Sequence, residues 1–99
     1  MRKIDIVNNA LGAAQAILNG GNDVNTLVVW CEALNRYVLY QQRTAAQFLE
    51  NVYQSLEQNP PRDQVVKLIT DFIAELTKEK ATLTDLNASI EWEPIFDRD

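Results

Sequence analysis

The sequence predicts an all-α fold, an antiparallel bundle of three to four helices followed by a short irregular acidic C-terminal tail. Three observations predict it. Apolar residues recur three and four positions apart along most of the 99 residues, the spacing that lines one face of a helix. Gly20-Gly21 and Asn59-Pro60-Pro61 divide the chain into segments of that kind, and both are residue types that interrupt helices. The alternation expected of a half-buried strand is missing from the sequence. With 46% hydrophobic and 23% charged residues, the composition suits a single compact domain over residues 1–99.

The first helix is expected over about residues 2–19, with Ile4, Val7, Leu11, Ala14 and Leu18 in one stripe. Gly20-Gly21 supplies the left-handed stop that helix C-termini favour. Asn22 or Asp23 then caps the next helix by accepting from its free N–H groups. The second segment, about 24–58, carries Leu27, Cys31, Leu34, Val38, Ala45, Phe48, Val52 and Leu56 on one face, interrupted by Gln41 and Gln42. Thr44-Ala45-Ala46-Gln47 reads as a capping box that would split the segment near Arg43. No Gly or Pro lies nearby and the apolar phase survives the interruption, which favours one long helix, bent rather than broken. Such a helix would measure roughly 50 Å at 1.5 Å per residue, more than a compact monomer of this size needs. That length suggests self-association, a homodimer or a structural subunit.

Pro60-Pro61 opens the third segment, where proline suits the first turn and Asp63 suits the positive helix end. Val65, Val66, Ile69, Phe72, Ile73 and Leu76 form its apolar stripe over about 62–80. Leu83, Leu86 and Ile90 continue the spacing. Either the helix runs on to about 90, or it stops near Lys80 and restarts at Thr82-Leu83-Thr84-Asp85, a second capping box. Residues 91–99 have no helical period and read as the tail.

Chemistry is scarce. The chain has no histidine, so the commonest general base and metal ligand is missing. Its single cysteine, Cys31, lies in an apolar run and reads as a small core residue. Ser55 and Ser89 have no catalytic motif around them, and Gly20-Gly21 follows a helix and lacks the Lys-Ser/Thr of a phosphate loop. Asp71, Glu75 and Glu79 share one helical flank, but Lys67, Lys78 and Lys80 are interspersed and no matching acidic row exists. A solvated face is expected there, with no metal and no cofactor. A calcium loop starting at Asp23 fails because Val28 stands where glycine is needed.

The charge is −5 overall, and all of the excess lies in the second half of the chain. An acidic surface repels phosphate backbones and anionic membranes, so neither nucleic acid nor membrane is expected as a partner, and a basic protein is. No stretch is apolar enough to span a bilayer and the N-terminus does not read as a signal peptide, which points to the cytoplasm. Two candidate binding surfaces remain. On a wheel of the second segment, Val29, Arg36, Tyr40, Arg43 and Gln47 fall opposite the core residues, and Tyr and Arg are enriched at binding hot spots. In the tail, Trp92, Ile95 and Phe96 lie among acidic residues, suited to docking on a basic partner or to closing one end of the bundle. The expected function is that of a non-enzymatic inhibitor, immunity/antitoxin-type or adaptor protein. Small helical immunity proteins are comparable in architecture alone. The alternative is a self-assembling helical subunit.

Overall fold

A computed structural model describes residues 1–95. The chain is an all-α bundle of four helices: α1 (Lys3–Leu18), α2 (Val24–Ala33), α3 (Arg43–Glu57) and α4 (Arg62–Thr82). Each packs on its neighbours in sequence, and α1 also packs on α4, which closes the ring. The buried core draws on all four: Ile6, Val7, Ala10, Ala14 and Ile17 from α1, Leu27, Trp30 and Cys31 from α2, Leu49, Val52 and Leu56 from α3, and Val65, Ile69, Phe72 and Leu76 from α4. Within α1 the buried face is turned from the expected stripe, leaving Ile4, Leu11 and Leu18 half-buried at its margin. The helix lies against both α2 and α4, and the small Ala10 and Ala14 let backbones come close between them.

Local chemistry ends α1 and starts α2. Gly20 adopts φ +111, and the N–H groups of Gly20 and Gly21 donate to Ile17 O and Ala16 O at 3.1 and 2.9 Å, a Schellman closure. A Cβ on Gly21 would meet Ala16 O at 2.8 Å, so the close approach requires glycine. Asp23 caps α2, its side chain accepting from Thr26 N at 3.2 Å and from the Thr26 hydroxyl at 2.6 Å. Between α3 and α4, Asn59 takes φ 53, a left-handed conformation that Asn tolerates.

The single long helix over 24–58 does not form. Helix α2 passes into one π turn, Leu34–Val38, where Leu39 N donates to Leu34 O at 2.8 Å. A β-turn follows, with Gln42 N donating to Leu39 O at 2.8 Å, and α3 begins at Arg43. The cap residue is Gln42, whose side chain makes no capping bond, and Thr44 of the expected capping box lies inside the helix. The break is selected by burial: Leu34, Val38 and Leu39 are all buried, and α3 folds back over α2 and the π turn. The longest molecular dimension is 36 Å, shorter than the unbroken helix would have been, so the length argument for self-association loses its premise.

Helix α4 also ends before either expected continuation. Leu83 is already extended at ψ 134, and residues 83–95 run back across the start of α1 as an irregular strap. This start lacks a side-chain cap at Arg2; instead Lys3 N and Ile4 N donate to the strap carbonyls of Ala88 and Leu86 at 3.0 and 2.6 Å. The strap thus satisfies donors that the first turn of a helix cannot satisfy itself. Met1 and Ile90 exchange bonds in both directions, 2.8 and 2.9 Å long. Leu83, Leu86 and Ile90 are half-buried through this docking, not through a further helix. The irregular region therefore begins at residue 83 rather than 91.

Candidate functional site

The π turn and the strap between them rearrange the predicted surfaces. Because the helix breaks at residues 39–42, the strip of Val29, Arg36, Tyr40, Arg43 and Gln47 is not continuous. Tyr40 stands at the tip of the β-turn, 58% exposed, with Lys3 Nζ 5.8 Å from its ring centre. It lines a polar depression with Gln41, Gln42 and the start of the strap. Arg43 and Gln47 are exposed on the first turns of α3, where Gln47 donates to Asn51 Oδ1 at 3.2 Å.

Val29 and Arg36, by contrast, are joined by the strap. Trp92 returns to α2 and packs edge-on against Trp30, ring centres 5.7 Å apart at 70°, and at 5.6 Å and 46° against Tyr37. Trp92 is half-buried and acts as an anchor; Ile95, three residues on, is 87% exposed. Val29, Glu32, Arg36, Trp92, Glu93 and Ile95 line one cavity of about 170 Å³. Two of the five residues of the predicted strip, Val29 and Arg36, and the described part of the predicted tail thus form one face. Phe96 lies outside the described residues.

A second, more open cavity adjoins the first and shares Glu32 and Arg36 with it; Asn35 and Tyr53 complete its lining, and its volume is about 360 Å³. Asn35 belongs to the π turn and Tyr53 to α3, so the site exists only once α3 has folded back. Asn35 Oδ1 is buried without a hydrogen-bond partner. Burial raises the Tyr53 pKa from its ordinary value; Glu50, Glu32 and Glu57 add to the rise, and a hydrogen bond with the Asn35 side chain opposes it. Glu32 and Arg36 are four residues apart, the spacing that pairs charges on a regular helix. The π turn begins between them, and they form no ion pair; among the described residues the salt bridge present is Arg2–Asp5 at 3.3 Å.

Sequence reading missed Glu32, Asn35, Tyr37 and Tyr53. Only the Glu32/Arg36 spacing was available as a signal, and it would have been read as a surface pair. Trp30, buried and edge-on to Trp92, was also not singled out as a core residue. Among the described residues no cluster of three or more Cys, Asp or Glu side chains could hold a metal ion. Asp71 is exposed and Glu75 and Glu79 are half-buried along α4. Cys31 is fully buried, and burial, with a smaller contribution from Glu32, pushes its thiol well above the usual range. No helix among the described residues is long and apolar enough to cross a membrane. Compared with family models, curated proteins and solved structures, the chain matches none of them, and its surface is interpreted from its own chemistry.

Proposed function

We propose that the chain is a non-enzymatic, cytoplasmic protein-binding protein of the inhibitor, immunity/antitoxin or adaptor kind, acting through the face built by α2, the π turn and the strap. The observation that carries this reading is the joining of Val29, Arg36, Trp92 and Ile95 around one cavity, with Ile95 87% exposed. A large apolar side chain left in solvent beside an anchored tryptophan, ringed by unpaired charges, has the anatomy of a binding hot spot and its polar rim. The missing histidine and the shallow cavities favour binding over catalysis.

The test is a photo-crosslinking amino acid placed in turn at Ile95, Arg36 and, as a control on the separate depression, Tyr40, in the cells that make the protein. One protein captured at both Ile95 and Arg36, and binding the purified chain stoichiometrically in a calorimeter, is the expected result. Capture at Tyr40 alone would move the site, and no adduct at any of the three would end the protein-binding reading.

A further inference from the structure

Residues 83–95 are held differently from the helices. No described residue of the strap is fully buried, and the last buried side chain along the sequence is Leu76 of α4. Leu83, Leu86, Ile90 and Trp92 lie half-buried against the outside of that core. Two things fasten them. A short backbone ladder joins the strap to residues 1–4: Lys3 N and Ile4 N donate to Ala88 O and Leu86 O, Ile90 N donates to Met1 O at 2.9 Å, and Arg2 and Ser89 pair antiparallel within it. Beyond the ladder, Trp92 rests against the rings of Trp30 and Tyr37.

Stability is uneven within a fold: a segment with few buried apolar contacts and accessible backbone bonds opens at lower cost than the core beneath it. When the strap leaves, it takes no fully buried side chain out of the core. The binding face depends on it far more. Trp92 and Ile95 come to the cavity of about 170 Å³ from the strap, and Val29, Ala33 and Arg36 come to it from α2 and the π turn; with the strap away, that cavity has lost a wall. The adjoining cavity, lined by Glu32, Asn35, Arg36 and Tyr53, has no strap residue in its lining.

We infer that the strap is a releasable latch: it opens from the bundle as a unit, breaking the ladder to residues 1–4 and withdrawing Trp92, while the four helices stay folded, and its docking assembles the face that carries Val29, Arg36 and Ile95. What that face then holds rests on the protein-binding reading; the latch does not. A partner that touches both walls of the cavity binds the docked state alone and, by linkage, holds the latch shut.

The experiment is hydrogen exchange on the whole chain, read at single amides by NMR in water and in guanidinium too dilute to unfold it. The amides of Lys3, Ile4 and Ile90 report the ladder, and those of Phe72 and Leu76 report the core of α4. The ladder amides should share one level of protection, roughly tenfold or more below the core amides. Added guanidinium should erode core protection steeply and ladder protection little, because opening the strap exposes far less surface than global unfolding. Trp92→Ala should cost the ladder amides about tenfold in protection, the worth of an aromatic pair. A second variant locks the latch. Arg2 and Ser89 are an antiparallel pair that exchanges no bonds, with α-carbons about 4.5 Å apart in such a pair, within the span of a disulfide. Oxidised Arg2→Cys/Ser89→Cys should bring the ladder amides level with the core, and reductant should reverse this. Ladder amides that match Phe72 and Leu76 in protection and in guanidinium dependence overturn the inference, since the strap then opens only with the whole fold. Ladder amides without protection, or unmoved by the disulfide, overturn it too. None of these results touches the crosslinking at Ile95 and Arg36, whose failure ends the protein-binding reading and leaves the latch standing.

Discussion

The α1–α2 junction and the α2–α3 junction each bring a helix back onto the one before it, and they do so by opposite means. At the first, every element of the turn is local: a glycine at φ +111, a second glycine pressed on Ala16 O, and an aspartate accepting from Thr26 N at 3.2 Å. At the second there is no glycine, no proline and no side-chain cap. A π turn and a β-turn of ordinary residues are held there because Leu34, Val38 and Leu39 are buried on either side. A turn can therefore be specified by the residues that form it or by the residues it allows to be buried, and only the first kind leaves a mark in a local sequence window.

That contrast predicts where each junction breaks. The largest effect should come from Leu39→Ala, which empties a core position 1% exposed at the junction held by burial. A loss of about 2–5 kcal/mol is expected, measured by chemical denaturation. If the loss stays under about 1 kcal/mol, the core is not what selects this turn. Gly21→Ala comes next. Its Cβ would meet a backbone carbonyl at 2.8 Å, and about 1–3 kcal/mol should be lost as the Schellman closure is forced apart. The smallest effect sharpens the comparison most. Asp23→Ala should cost about 1 kcal/mol as a lost cap, whereas Gln42→Ala, the equivalent position at the second junction, should change stability by less than about 0.5 kcal/mol. Equal losses at the two caps would erase the distinction.

The same division explains what could be read of the binding face. Val29, Arg36, Trp92 and Ile95 were visible as residue types of interest, each on its own segment. Their meeting depends on the strap, and the strap docks because α1 has free N–H donors at Lys3 and Ile4 and because Trp30 and Tyr37 offer rings to Trp92. None of those partners is near in sequence. Asn35 and Tyr53 had no signal at all, since an amide on one helix and a phenol on another become a site only across a fold-back. Arg62 is a similar case: its guanidinium donates to Ile17 O at 2.6 Å and Gly21 O at 2.9 Å, placing a cation at the negative end of α1. In the sequence it is one more charged residue after a proline pair.

By itself the sequence determined the helical class, the stop of α1, a cap for α2 at Asn22 or Asp23, the start of α4 and part of the apolar face of each helix. Those follow from interactions within a few residues: periodic burial, left-handed glycines, a capping carboxylate, a proline at a first turn. Tertiary structure chose between alternatives the sequence left open, a split near residue 43 or none and a stop near residue 80 or a run to 90, and it alone decided the course of the strap and the joining of its tryptophan to the face of α2. Each of these balances local helical preference against contacts between distant segments. An unbroken helix satisfies its own backbone equally well, so the choice falls to the apolar surface that only the folded-back chain removes from water.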